Sequence, residues 1–134
     1  MSMRDVMEQV LAQRRFAVAG ASRDPDKPGH SVYTVLKAAG RTVYAVNPNA
    51  ETIDGDSCYP SLDTLPGPVD CLVTVTQPEV TQSLLIDAGR LGIPYVWMQP
   101  GSDSLAALHY AQAFSMQVVA GGPCIMLALK RAAV

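Results

Sequence analysis

A chain of 134 residues, 49% hydrophobic and 16% charged, is long enough for one hydrophobic core and too short for two, so residues 1–134 read as a single domain. A formal net charge of −2 gives no general attraction to phosphate polymers and excludes nucleic acid as an expected partner; no uncharged apolar run approaches the roughly 20 residues that a membrane span needs. Cys58, Cys71 and Cys124 lack metal-ligand spacing and no charged-then-apolar leader precedes the first apolar run, so reduced thiols in the cytoplasm are expected.

From Met3 to Gln13, Val6, Val10 and Leu11 fall near one helical face and predict a short leading helix. Phe16-Ala17-Val18-Ala19-Gly20 follows as a continuous apolar run, the pattern of a strand covered on both faces. Val32, Val35, Leu36 and Ala39 then recur at helical spacing, with Ser31 as the expected N-cap and Gly40 as the stop. A second strand is predicted over Thr42–Val46. The stretch from Asn47 to Pro68 is rich in Pro, Gly, Asp and Ser, offers only Ile53, Tyr59, Leu62 and Leu65 for packing, and predicts a short strand or none.

Cys71–Val75 is the third strong strand signal. Thr76 and Glu79 match a capping box, Pro78 suits a first helical turn, and Gly92 closes the helix they open. Tyr95–Met98 and Gln117–Ala120 complete the strands; between them a helix is expected from near Ser102 through Leu105, Leu108 and Ala111, and a last helix follows Gly121-Gly122-Pro123. This alternation implies an α/β, Rossmann-like, doubly wound, mainly parallel five-stranded sheet with helices on both faces, and Gly20 at the carboxyl end of a central strand.

In such sheets ligands bind outside the carboxyl ends of the strands, where the strand order reverses. The small-residue turn Gly20-Ala21-Ser22-Arg23 lets backbone N–H groups approach an anion just before a helix start, and Arg23 and Lys27 add cations. Two readings stand for this loop: a phosphate site, or a strand-to-helix turn whose cations are merely solvated. It lacks the second glycine of the dinucleotide fingerprint, and Gly29 comes too late to be the third. After the second strand the chain reads Val46-Asn47-Pro48-Asn49, without the carboxylate that holds the ribose in NAD sites. Asn47 is open to hydrogen-bonding a ribose or base edge, or, with Pro48, to ending the strand only. The alternative function, an NAD(P)-binding oxidoreductase or redox-sensing module, thereby loses its main anchor; a subunit or allosteric module that needs a partner is the third class.

No catalytic constellation is evident. His109 reads as a helix-surface residue, His30 as a residue at the mouth of a helix within reach of a ligand, and Trp97 as core. Cys124 opens the last helix, either as a packed, inert thiol or as one with a pKa lowered by the helix end. No carboxylate pair, metal cluster or Walker sequence is present.

Val18-Ala19-Gly20-Ala21-Ser22, Val46-Asn47-Pro48, Gly55 with Cys58-Tyr59-Pro60-Ser61-Leu62, and Pro66 to Asp70 occur in an order that resembles the small stand-alone CoA-binding proteins. That family is similar to the amino-terminal domain of the succinyl-CoA synthetase α subunit. The resemblance implies a small-molecule nucleotide ligand, coenzyme A or an acyl-CoA. It implies Gly20, Ala21, Ser22 and Arg23 at the CoA phosphates, Asn47 and Pro48 in the next loop, then Thr76, Gln77 and Pro78, and lastly Gln99, Pro100 and Gly101. Two departures remove positive charge: Thr76-Gln77 stands where many relatives have paired arginines, and Gly122-Pro123-Cys124 where they have Asp-Arg-Cys. The synthetase carries its phosphorylated histidine in a second domain, so binding without synthetase activity is expected here.

Overall fold

Each long apolar run becomes a strand, and the helical patterns between them return the chain to the same end of the sheet. In the computed structural model, which describes residues 1–133, the elements are α1 (Met3–Leu11), β1 (Arg15–Ala19), α2 (Pro28–Ala38), β2 (Thr42–Val46), β3 (Thr52–Ile53), β4 (Asp56–Tyr59), a 3-10 turn (Leu62–Thr64), β5 (Cys71–Thr74), α3 (Pro78–Arg90), β6 (Tyr95–Met98), α4 (Leu105–Ala113), β7 (Gln117–Val119) and α5 (Ile125–Ala132). They form one seven-stranded sheet in the order β3-β4-β2-β1-β5-β6-β7. Only β3 runs antiparallel to its neighbour; the other pairs are parallel. Counting the parallel strands alone along the chain, the order is 3-2-1-4-5-6, that of the doubly wound dinucleotide fold.

Five strands were expected, and the two additional ones lie in the Pro- and Gly-rich stretch. Asp54 and Gly55, with φ of 50° and 84°, supply the two positive-φ positions that a tight two-residue hairpin needs, and Ile53 pairs with Asp56 across them. The returning strand β4 then adds in parallel to β2, through Ala45 with Cys58 and Val46 with Tyr59. Asp-Gly is thus the signal that the composition of the stretch obscured.

Side chains alternate between the two faces of the sheet, so each strand feeds two cores. Phe16, Val18, Cys71, Val73, Trp97 and Val119 pack with residues of α1, α2 and α5, among them Val10, Leu36 and Ile125. On the other face Ala17, Ala19, Leu72, Val96 and Met98 pack with Leu85 and Ala88 of α3 and Ala107 and Ala111 of α4. Trp97 is buried, as expected, and its indole N–H donates to the Pro123 carbonyl at 3.0 Å, which satisfies its one polar atom and ties β6 to the start of α5.

Three helix starts differ from the sequence expectation. The N-cap of α2 is Lys27, with Pro28 in the first position, because a fixed proline φ is already helical; Ser31 lies inside the helix. Gln77 caps α3 without a side-chain bond, since the Thr76 hydroxyl is engaged with Thr81 Oγ1 at 2.7 Å and the capping box does not form. Ser104 caps α4 by accepting from the Ala107 amide at 3.1 Å. Ser102 is instead buried, with Oγ 2.8 Å from the Gln99 carbonyl, 3.1 Å from the Thr74 carbonyl and 2.9 Å from Thr74 Oγ1.

At the amino ends of the central strands β1 and β5, Arg15 holds Asp70 through Nη2 at 2.8 Å and Nε at 3.2 Å, with the Arg15 amide at 3.0 Å. These hydrogen bonds from Arg15 outweigh burial and keep the Asp70 carboxyl below its usual range. A depressed folded-state pKa stabilises the fold above the unfolded value and loses that contribution as pH falls through the folded one. Asp70→Asn should therefore melt below the wild type at neutral pH and converge with it below about pH 4, measured by thermal melts across that window; parallel melting curves at every pH would refute the role.

Candidate functional site

The strand order reverses between β1 and β5, and the loops after β1, β2, β5 and β6 surround that point. Gly20 ends β1 with φ of 85°; a Cβ there would lie 2.2 Å from the Val75 carbonyl oxygen, so the β1 and β5 loops touch backbone to backbone. The Gly20 amide donates to the Val46 carbonyl at 3.0 Å, which continues the ladder with β2. Beyond it the amides of Ser22 and Arg23 have no acceptor among the described residues and are available to an anion, whereas Ala21 between them and Gly20 is fully buried.

The helix α2 comes equally close. A Cβ on Gly29 would lie 1.9 Å from the Gly20 carbonyl oxygen, a contact only glycine allows. Gly29 was expected to be too distant in sequence to serve as the third glycine of a dinucleotide loop. It does serve the close helix-to-strand packing of that glycine, because the intervening residues fold on themselves: the Asp24 amide donates to Ser22 Oγ, the Asp26 amide to Asp24 Oδ1, and the Lys27 amide to the Asp24 carbonyl.

A cleft of about 560 Å³ opens here, walled by Gly20, Ser22 and Lys27 on one side and Thr76, Gln77, Pro100 and Gly101 on the other. Lys27 is the cation in that wall among the described residues. Arg23 is exposed in the same loop outside the wall, Ala21 is buried behind it, and Pro78 opens α3 just beyond. The helices α2 and α3 both start at the cleft, so their positive ends favour negative charge there.

Two expected ligand groups are turned to structural work. Asn47 donates through Nδ2 to the Ala21 carbonyl at 2.8 Å and accepts from the Asn49 amide at 2.8 Å, so both ends of its side chain are engaged in joining the first two loops. Gln99 is buried and points to α5: its Oε1 accepts from the Ile125 amide at 2.8 Å and its Nε2 donates to Cys124 Sγ at 3.4 Å.

Continuous with the polar cleft through Gly20, Asn47, Asn49 and Thr76 is an apolar lobe of about 330 Å³. Val46, Pro48, Pro60, Leu62, Val80 and Leu84 provide its surfaces, and Ser83 and Asp87 are the polar residues that α3 brings to it. Apart from Pro48, sequence reasoning did not assign these residues to the ligand, although Val46, Pro60 and Leu62 stand in the motifs that carry the resemblance. They come from the end of β2, the segment between β4 and the 3-10 turn, and the first three turns of α3; the i, i+4, i+7 spacing of Val80, Leu84 and Asp87 was the available sign of a shared helical face.

His30 pairs with Asp54 at 2.8 Å, joining α2 to the β3–β4 turn, and His109 lies exposed on α4. Cys124 is half-buried at the N-cap of α5; burial raises its thiol pKa, but the Gln99 amide and the backbone amides of Leu127 and Met126 outweigh that and bring it below the ordinary value. Burial pushes the thiols of Cys58 and Cys71 up instead. Among the described residues no group of three or more His, Cys, Asp or Glu side chains could hold a metal ion, and no helix is long and apolar enough to cross a membrane.

Residues 14–130 match the model of the CoA binding domain. The chain belongs to that family. Within it, 89 residues are 38% identical to the alpha subunit of ADP-forming acetate–CoA ligase II of Pyrococcus furiosus, covering 66% of this chain and 20% of that subunit. The CoA-binding domain thus spans about a fifth of the length of that relative. A 27% identity over 100 residues relates it to the protein YneT of Bacillus subtilis, across 75% of this chain and 74% of that one. In three dimensions it superposes on a hypothetical protein from Pyrococcus horikoshii with a TM-score of 0.91 at 27% identity, covering 98% of this chain and 92% of the other.

Proposed function

We propose that this domain binds coenzyme A or an acyl-CoA, with the phosphates at the Gly20-Ala21-Ser22 loop and the rest of the ligand running along the cleft between the β1, β2, β5 and β6 loops. The observation that carries the reading is the pair of unengaged amides at Ser22 and Arg23, placed at the strand-order reversal beside the start of α2, in a chain of the CoA-binding domain family. Lys27 in the wall and Arg23 beside it would neutralise phosphate charge, including the 3′-phosphate that distinguishes CoA from its dephospho form. Thr76, Gln77, Pro100 and Gly101 would line the ligand's path by shape and hydrogen bonding, since the wall they form is uncharged.

An NAD site would need an acceptor for the ribose hydroxyls at the end of β2, and the residue there, Asn47, has both ends of its side chain engaged between loops. That favours CoA over a dinucleotide. Replacing Arg23 and Lys27 together with alanine should weaken CoA binding by about tenfold or more. Added salt should weaken the wild type more than the double variant, because screening acts on charges the variant has lost. Calorimetric titrations of both proteins at low and high salt test this. Equal salt dependence would show that the two side chains only solvate the loop.

A further inference from the structure

The apolar lobe holds one group that the binding reading leaves without a role. Asp87 is half-buried in the lobe wall, and its carboxylate makes no hydrogen bond or ion pair with any described residue. On α3 it follows Val80 and Leu84 at i+7 and i+3, so it stands on the face that those two residues present to the lobe. Across from it are the apolar surfaces of Val46, Pro48 and Leu62. A carboxylate in such a place accepts hydrogen bonds and repels phosphate, so it bars the lobe to the charged part of a nucleotide and selects a flat, apolar group that carries a donor at its edge.

From this geometry we infer that Asp87 is a specificity-determining residue that reads the exocyclic amine of an adenine ring seated in the apolar lobe. The inference deepens the nucleotide reading of the cleft and rests on it. Adenine presents an N–H₂ donor at its 6-position, whereas hypoxanthine and guanine present a carbonyl acceptor there. Facing Asp87, the amine gains an acceptor and the carbonyl meets a like-polarity oxygen. Discrimination of this kind comes as much from the mismatch against the wrong base as from the bond to the right one. The lobe also fixes the direction of the ligand: base under Val80 and Leu84, phosphates at the Gly20 loop, with Thr76 and Asn47 between them.

Two probe pairs test the assignment by calorimetry: CoA against its 6-oxo analogue, in which hypoxanthine replaces adenine, and ADP against IDP. The wild type should prefer the amino member of each pair by about tenfold. In Asp87→Asn the preference should fall to within about twofold, because a side-chain amide can turn either its oxygen or its N–H₂ group to the base. Thermal melts of the variant identify any loss of fold, and Glu79→Gln, an exposed change on the same helix outside the lobe, serves as a control that should leave the preference intact. Equal binding of the two members by the wild type, or full preference retained in a folded Asp87→Asn protein, overturns the assignment. Failure of CoA to bind while ADP is still preferred over IDP would sink the CoA reading and leave the role of Asp87 standing.

Discussion

Gly20→Val should deprive the domain of CoA binding and of a large part of its stability. The position has φ of 85°, which a β-branched residue adopts only under strain, and its Cβ would meet the Val75 carbonyl oxygen at 2.2 Å and the Thr76 methyl at 3.0 Å. The carbonyl belongs to backbone held in the β1–β5 ladder, where the Val75 amide donates to the Ala19 carbonyl at 2.9 Å, so it cannot turn aside cheaply. Strain and overpacking together should cost about 2–5 kcal/mol, against a typical total of about 5–15 kcal/mol. Any protein that remains folded must part the β1 and β5 loops, and these carry the amides of Ser22 and Arg23 and the side chain of Thr76. Thermal melts with CoA titration measure both effects; unchanged melting and affinity would remove Gly20 from the site.

Gly29→Ala sets two effects of opposite sign against each other. Alanine is a better helix former than glycine by about 1 kcal/mol, and Gly29 lies in the first turn of α2, so propensity alone predicts stabilisation. The added methyl, however, would lie 1.9 Å from the Gly20 carbonyl oxygen and 3.3 Å from Ala21 Cα, all backbone on a turn already fixed by Val46 and Val75. The clash should win. The N-terminus of α2 would have to back away from the β1 loop, lowering stability by about 1–2 kcal/mol and weakening CoA at least tenfold by separating the helix end from the loop amides. A variant that melts above the wild type and binds CoA normally would show that the close approach is not needed.

How far the sequence disclosed this arrangement depends on what buries each element. The strands β1, β2, β5, β6 and β7 were legible because the central ones are covered on both faces and read as unbroken apolar runs such as Phe16–Ala19. The hairpin was not. Its strands anchor in the core mainly through Ile53 and Cys58, too few residues to show a period, and only Asp54-Gly55 marked the turn. The loops that meet at the cleft were foreseen from the position of strand ends in a doubly wound sheet. Side-chain directions within them were not, because they answer to partners far along the chain: Gln99 turns from the cleft to satisfy the Ile125 amide, 26 residues later, and Asn47 reaches back to Ala21. The self-bonded Ser22–Lys27 loop brought Gly29 to Gly20 by the same kind of local bonding that spacing rules do not capture.

The most direct test of the central claim is calorimetric titration of the purified wild-type domain with CoA, and in parallel with NAD⁺, at one ionic strength. Saturable one-to-one binding of CoA, at least tenfold tighter than that of NAD⁺, is the result predicted from the loop amides, Lys27 and the engaged Asn47. Binding of NAD⁺ as tight as that of CoA, or no binding of CoA to the folded protein, would contradict it.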